Sequence, residues 1–337
     1  MKKTVLLVTA PVANLRKKPE DASLSYTHDD LQLTQLLFNE ILLYHGETED
    51  WYFVEATEQK KALPRKAWQG YPGWVRKDAV VVADRAPVFN AVVNDIGVII
   101  WKTPEPKAEP LLPLSIGTRL AVESSPREKY YRKIVLPDDE RGWIKKDEVI
   151  LLRRAISSSR LRHAVIETAG RFLDAPYLWG GRGVYVSETL QRVRSGDKRK
   201  GLNRSRRAKS EPRIVSGAVC GVDCSGLTNL AYRVNNIDIP RDAHDQWIEA
   251  RPVPLKKLKP ADLIFVSAEG AHERITHVML YTGGEGFIEA SETGSTVRTN
   301  TFETKFGLTL HRIAGEGFVV KKKRIYLGTV IPTLEQK

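Results

Sequence analysis

A cysteine set up to react stands in residues 221–235, GVDCSGLTNLAYRVN. Cys224 lies between Asp223 and Ser225. Behind it Leu227, Leu230, Ala231 and Val234 recur at the helix period. This spacing predicts a helix with Cys224 at or just before its first turn. There, free backbone N–H groups and the positive end of the helix dipole favour a thiolate, the nucleophilic form. A buried structural cysteine satisfies the same stretch equally well.

A thiolate nucleophile needs a base, and the base needs an orienting partner. Of the seven histidines, His277 falls inside an apolar strand pattern at 275–281, and Glu289 interrupts a second one at 287–291. The linker Thr282-Gly283-Gly284-Glu285-Gly286 is a hairpin signal. A three-residue turn over 282–284 puts His277 directly opposite Glu289, with Cβ atoms about 4.5–5.5 Å apart. A two-residue slip keeps both on one face, whereas a one-residue slip separates them. Taken singly, an interior His is more often structural and a strand Glu more often solvated. Their joint arrangement with Cys224 carries the catalytic reading. His244, in the polar stretch 241–246, and His272, in the loop before the strand, are rivals for the base.

Several elements must position these groups. A Ser-capped helix is expected over 158–173, ended by Pro176. Strands are expected at 261–267, 276–281, 286–291 and 296–299, so helices precede an antiparallel sheet in an α+β unit over 153–337. Residues 1–83 form a small all-β unit of short apolar runs between Gly/Pro-rich turns. Residues 84–152 repeat the layout in divergent form. Gly142-Trp143-Ile144 matches Gly73-Trp74-Val75, each followed by a basic residue and then Lys-Asp. The Trp residues of both units are expected in their cores.

The chain has 337 residues, of which 42% are hydrophobic, enough for several packed domains. Two cysteines four apart exclude a disulfide framework and give no metal-ligand spacing, so neither a metal nor a cofactor is expected. The net charge is +12, and residues 192–213 alone hold ten basic residues against two acidic ones. That block sits in an insertion at about 183–217. It reads as a solvated loop or as a contact for an anionic polymer; without interleaved aromatics, nucleic acid is disfavoured. The apolar run 4–10 is short and lacks a small-residue cleavage site. It reads as a strand in a cytoplasmic protein, a cleaved signal and a periplasmic or secreted protein being the other possibility. No segment has the length of a membrane span.

An ordered series resembles the NlpC-type cell-wall cysteine peptidases: Asp223-Cys224-Ser225-Gly226-Leu227, Pro240-Arg241-Asp242 with Gln246, residues 258–265, His277-Val278, and Ile288-Glu289-Ala290-Ser291. The resemblance covers about residues 158–315. The order in residues 1–83 is similar to the bacterial SH3-like barrel found beside such enzymes. The resemblance implies two SH3-like barrels followed by a papain-like α+β peptidase. It implies Cys224 as nucleophile, His277 as base and Glu289 at the third polar position, where relatives often carry His. A carboxylate there is expected to strengthen the imidazolium and raise the His277 pKa. Asp223, Ser225 and Tyr177 match pocket residues, with Asp223 placed for a substrate amine. Glu40 and Tyr71 of the first unit are candidates for contact with a free N-terminal amine. The implied reaction is hydrolysis of the γ-D-glutamyl–diamino acid bond of peptidoglycan stem peptides through a thioester. The competing readings are a wall-binding protein with an inactive hydrolase domain, a nucleic-acid-binding protein, and an acyltransferase on the same fold.

Overall fold

The computed structural model describes residues 4–21, 28–64, 67–124, 128–137, 139–152, 157–184, 213–215 and 218–332. The first unit contains β1 (Val5–Val8), β2 (Val12–Arg16), β3 (Gln32–Leu37), β4 (Ile41–Glu47), β5 (Trp51–Ala62), β6 (Trp68–Arg76) and β7 (Val80–Ala83). They hydrogen-bond in the order β3-β2-β6-β5-β4-β1-β7. Alternation decides which face is buried: Tyr71, Gly73 and Val75 of β6 point inward, and Leu15, Leu36, Leu42 and Val54 meet them in the core. Asn39, at φ 69°, takes the tight β3–β4 turn, a conformation Asn tolerates better than most residues.

The second unit contains β8 (Ala91–Val93), β9 (Val98–Trp101), β10 (Pro110–Leu114), β11 (Arg119–Glu123), β12 (Tyr131–Val135), β13 (Arg141–Lys145) and β14 (Val149–Leu151). Its order, β10-β9-β13-β12-β11-β8-β14, is the first order shifted by seven strands. The two Gly-Trp-apolar motifs occupy the corresponding strands β6 and β13, each followed by a 3-10 turn. Each hydrogen-bonded path is open, so closed barrels are not what these ladders draw. The expectation for the Trp residues is corrected too. Trp51 is buried, but Trp68 is 38% exposed because β6 begins beyond the core face.

The third unit begins with α1 (Ser158–Gly170), capped by Ser157. After β15 (Arg182–Gly183), β16 (Arg213–Val215) and β17 (Ala218–Val222) come α2 (Cys224–Arg233) and α3 (Ala243–Glu249). The sheet follows: β18 (Arg251–Pro252), β19 (Leu263–Ala268), β20 (Ala271–Gly283), β21 (Gly286–Glu289) and β22 (Arg298–Thr301). Then come α4 (Phe302–Phe306), α5 (Leu310–Gly315), β23 (Val319–Val320) and β24 (Lys323–Thr329). The strand order is β18-β24-β19-β20-β21-β22. One face packs on α1 and α2 through Val165, Leu227, Leu230, Val278, Leu280 and Ile288. The other packs on α4 and α5 through Met279, Phe287, Phe302, Leu310 and Ile313. Each such side chain stabilises the fold by about 1.5–3 kcal/mol on burial.

α2 is buried on every side, not on one face only. Its polar residues are satisfied internally: Thr228 Oγ1 donates to Gln246 Oε1 at 2.8 Å, and Asn229 Nδ2 to the Ile239 carbonyl at 2.7 Å. Among the described residues no helix is long and apolar enough to cross a membrane.

Candidate active site

α2 begins where it does because Asp223 caps it. Asp223 Oδ1 accepts the Gly226 N–H at 2.7 Å, one of the donors a helix leaves unpaired in its first turn. Gly226 is required by contact, since a Cβ there would lie 2.2 Å from the Gly181 carbonyl oxygen. The 176–181 loop therefore crosses the start of α2 and brings half-buried Tyr177 beside Cys224. The Tyr177 N–H is held by the Ser295 carbonyl at 2.9 Å. Burial, with the negative Asp223 nearby, holds its phenol above the ordinary range, so it stays a donor.

Cys224 is the first residue of α2 and is partly exposed. The backbone N–H of Val278, next to His277 on β20, reaches its sulfur. The β20 main chain next to His277 thus lies beside Cys224. The charge state of Cys224 is not the one the helix dipole suggests. Burial pushes the thiol up to about 12, and the Asp223 carboxylate adds to this, against the opposing N–H groups of Val278 and Ser225. The proton rests on sulfur.

His277 Nε2 lies 3.0 Å from Glu289 Oε2. With a carboxylate as its partner, Nε2 carries the proton and Nδ1 is left as the basic nitrogen. The register differs from the expected one. β20 and β21 pair with Leu280 facing Ile288, and Gly283 pairs with Gly286 across a two-residue turn. Met279, not His277, is therefore in line with Glu289. The two catalytic candidates are diagonal neighbours on one face, a separation the Glu side chain spans.

Glu289 is fully buried and receives more than the histidine. Arg298 donates through Nε at 3.2 Å and Nη2 at 3.1 Å, Asn300 Nδ2 donates at 3.0 Å, and Lys305 Nζ also bonds the carboxylate. The carboxyl is held far below the ordinary range. These cations also cancel its field at the imidazole. The expected upward shift of His277 is corrected to a downward one: burial disfavours the imidazolium, and Lys305 and Lys323 oppose it against the Glu289 bond. The resting pair is thiol and neutral imidazole.

Asp223 and Ser225 form a closed cluster with buried Arg241. Nη1 donates to Asp223 Oδ1 at 3.0 Å and to Ser225 Oγ at 2.9 Å, and Nη2 donates to Asp223 Oδ2 at 2.8 Å. Ser225 Oγ donates to Asp223 Oδ1 at 3.1 Å. Both oxygens of Asp223, the residue expected to meet a substrate amine, are engaged, Oδ1 by Arg241, Ser225 and the cap and Oδ2 by Arg241 alone. Tyr71 reaches the same end of the site: its hydroxyl donates to Asp242 Oδ2 at 3.0 Å, and Lys61 Nζ donates to that oxygen at 2.8 Å. Glu40 lies elsewhere. It is buried, paired with Arg182, and bonded by Gln59 Nε2 at 2.9 Å, which removes it from substrate contact.

His244 Nδ1 accepts the Ile275 N–H at 3.4 Å and its ring lies against Trp247. The His272 carbonyl accepts from Tyr326. Apart from Gly183, Val184 and the strand Arg213–Val215, the basic insertion at about 183–217 lies outside the described residues. Sequence reasoning missed Arg298, Asn300 and Lys305. The first two alternate on β22 where Arg298 pairs with Glu289, a signal available only once that register is known.

Residues 174–309 match the NlpC/P60 family. The gamma-D-glutamyl-L-lysine dipeptidyl-peptidase of Bacillus subtilis is 27% identical over 290 residues, covering 85% of this chain and 81% of that protein. The peptidoglycan endopeptidase RipB of Mycobacterium tuberculosis is 33% identical over 146 residues, covering 43% of this chain and 49% of that protein. A crystal structure of an NlpC/P60 family protein from Bacillus cereus superposes with a TM-score of 0.71 at 19% identity, covering 97% of this chain and all of that one. The capped cysteine, the His277–Glu289 pair and these matches agree, and the chain carries a cysteine-peptidase domain of the NlpC/P60 family over residues 174–309.

Proposed function

We propose that the protein hydrolyses the γ-D-glutamyl–diamino acid amide bond of peptidoglycan stem peptides, in wall turnover or recycling. The observation that carries this reading is Cys224 at the start of α2 against the β20 main chain that carries His277, itself bonded to Glu289. Cys224 is the nucleophile. His277 Nδ1 takes the thiol proton as the sulfur attacks the γ-carbonyl carbon. The Cys224 N–H, the first of α2, has no acceptor within the helix and faces the developing oxyanion. As the C–N bond breaks, His277 returns the proton to the leaving amine. Water then adds to the thioester, His277 takes its proton, and the thiol and a carboxylate are released. Glu289 positions the imidazole; Tyr177, Asp223 and Ser225, locked by Arg241, shape the acyl side; Tyr71 closes its far end.

In this reading residues 1–83 and 84–152 are two SH3-like units, supported by their shared strand order, and 153–337 is the peptidase. The test is incubation with L-Ala-γ-D-Glu-diaminopimelate, read by mass spectrometry, with Cys224→Ala alongside. Release of the diamino acid by wild type alone is expected. Release by both would remove Cys224 as nucleophile, and release by neither would remove the bond.

A further inference from the structure

A cavity of about 730 Å3, in the size range of small-molecule sites, has Val266, Val320 and Phe306 as its apolar wall. All three belong to the core beneath α4 and α5. Cys224, Tyr177 and Arg241 are absent from the wall, so this space is separate from the thiol. Four cations line it: Arg298 of β22, Lys305 of α4, Lys321 of the β23–β24 turn and Lys323 of β24. Against them stand Glu292 in the wall and the buried Glu289, which bonds Arg298 and Lys305. Four against two leaves a surplus of two positive charges. Lys321 and Lys323 make no ion pair among the described residues. The turn itself is unusual. Lys321 at φ 49° and Lys322 at φ 60° fill left-handed positions that Gly or Asn ordinarily take. Lys322 lies 3.8 Å from Glu269, outside the wall, and Lys321 is the one that reaches the cavity. A strained backbone thus carries one of the two unpaired charges.

We propose that this cavity binds a small phosphate monoester as an effector whose presence is felt at His277. A phosphate monoester is close to a dianion at neutral pH, which matches the surplus of two charges, whereas a single carboxylate leaves one uncancelled. Guanidinium and ammonium groups are its usual partners. The volume exceeds what inorganic phosphate fills, and Phe306 and Val320 offer an apolar seat for the organic group. His277 lies in the same wall. The charged groups around its imidazole are Glu289, Arg298, Lys305 and Lys323, with Lys321 and Glu292 elsewhere in the cavity wall. Lys305 and Lys323 oppose protonation of the imidazole. A dianion held between them cancels that field and makes the imidazolium easier to form. The ligand needs no contact with Cys224, and its binding does not depend on which bond the enzyme cleaves.

The experiment is calorimetric titration of the full chain carrying Cys224→Ala, at about pH 7.5 and fixed ionic strength, with inorganic phosphate and with phenyl phosphate. Both are expected to saturate a single site, phenyl phosphate about tenfold more tightly, the worth of ~50 Å2 of apolar contact. Adding Lys321→Gln/Lys323→Gln should weaken both about tenfold, the scale of two partly screened charge contacts. Lys322→Gln, whose side chain is outside the wall, should change little, and thermal melts check the fold of each variant. The imidazole nitrogen signals of His277 should move with the same midpoint as the heat. Titration without saturation, binding untouched by the double variant, or an equal loss in Lys322→Gln would overturn the site in favour of diffuse charge attraction. Phosphate binding as tightly as phenyl phosphate would overturn the ester, and unmoved His277 signals would overturn the effector role. The Cys224→Ala chain is read by binding alone, so failure of the amide-hydrolysis reading appears only in the peptide assay, and failure of this site only here.

Discussion

Lys305→Gln tests the electrostatics of the His277–Glu289 pair and its proposed role directly. His277 Nε2 and Lys305 Nζ bond the same oxygen of Glu289, so the two nitrogens lie within about 6 Å of each other. Unit charges at that separation interact by about 2.8 kcal/mol at an effective dielectric of 20, which corresponds to about two pKa units. The Lys305 side chain is 20% exposed and Arg298 stays on the carboxylate, so about one unit is the expected net effect. The direction follows from charge. Lys305 opposes protonation of His277, and without it the imidazolium forms at higher pH. Only the neutral imidazole can take the thiol proton, so the acid limb of kcat/KM moves up by about one unit. Well below that limb the variant loses about tenfold relative to wild type, and on the alkaline plateau it changes little. The assay is a pH profile of kcat/KM on the tripeptide, each enzyme normalised to its own plateau. A thermal melt checks the fold, and Lys305→Arg should restore the wild-type limb. A limb that stays put or moves down would refute the reasoning. The proton that gates the rate would then not be the one on His277, or the pair would rest as thiolate and imidazolium.

Three further outcomes are expected. Because burial holds the Cys224 thiol up to about 12, iodoacetamide should alkylate it more slowly at neutral pH than a free cysteine; faster alkylation would mean a resting thiolate. Arg241→Met leaves Asp223 buried without its bidentate partner and should cost about 3–5 kcal/mol in a denaturant titration, with a smaller loss for Arg241→Lys, which keeps the charge but not the fork. His277 and Glu289 both have folded pKa values below their unfolded ones. Their contribution to stability is therefore fully present above about pH 6.5, falls first as His277 must charge, and falls again below about 4.5. Melting temperature against pH should show both steps, and Glu289→Gln should remove the lower one.

The sequence was legible where chemistry and period coincide. Cys224 stands at the head of an apolar helical run, and two alternating runs put His277 and Glu289 on one face of the sheet. The exact register was not legible. The Gly283-Gly284-Glu285-Gly286 turn admits more than one loop length, and the pairing is set by the irregularity between Tyr281 and Gly283. Charge states were less legible still. Glu289 alone would raise the pKa of His277, and only the fold shows that Arg298 and Lys305 neutralise it. β24 escaped notice because Lys323-Arg324 opens it with a polar pair, although it lies in the middle of the sheet beside β19. Glu40 illustrates the converse. The resemblance makes this carboxylate, just before β4, a candidate for an amine contact, and the partner it meets is a buried guanidinium from the same chain.

That guanidinium belongs to a pattern which ties the β units to the chemistry. Arg182, Arg233 and Arg241 of the peptidase unit are all fully buried, and each ends on groups of the N-terminal units. Arg182 meets Glu40; Arg233 meets Glu58 at 2.6 Å and the Gly117 carbonyl at 2.8 Å; Arg241 Nε meets Thr34 Oγ1 at 2.6 Å. Desolvating a guanidinium costs several kcal/mol, and good partners do little more than offset it. Such contacts therefore contribute little net stability, but every alternative docking leaves a buried cation unpaired. Gln35 adds to this by accepting the Arg182 N–H at 3.0 Å and donating to the Val219 carbonyl, on the strand that leads into α2. Arg241 grips Thr34 of the first unit and the Asp223 cap with one planar group. The seating of the first unit and the orientation of the Cys224 helix are thus fixed by the same bonds, so the N-terminal unit is part of how Cys224 is positioned.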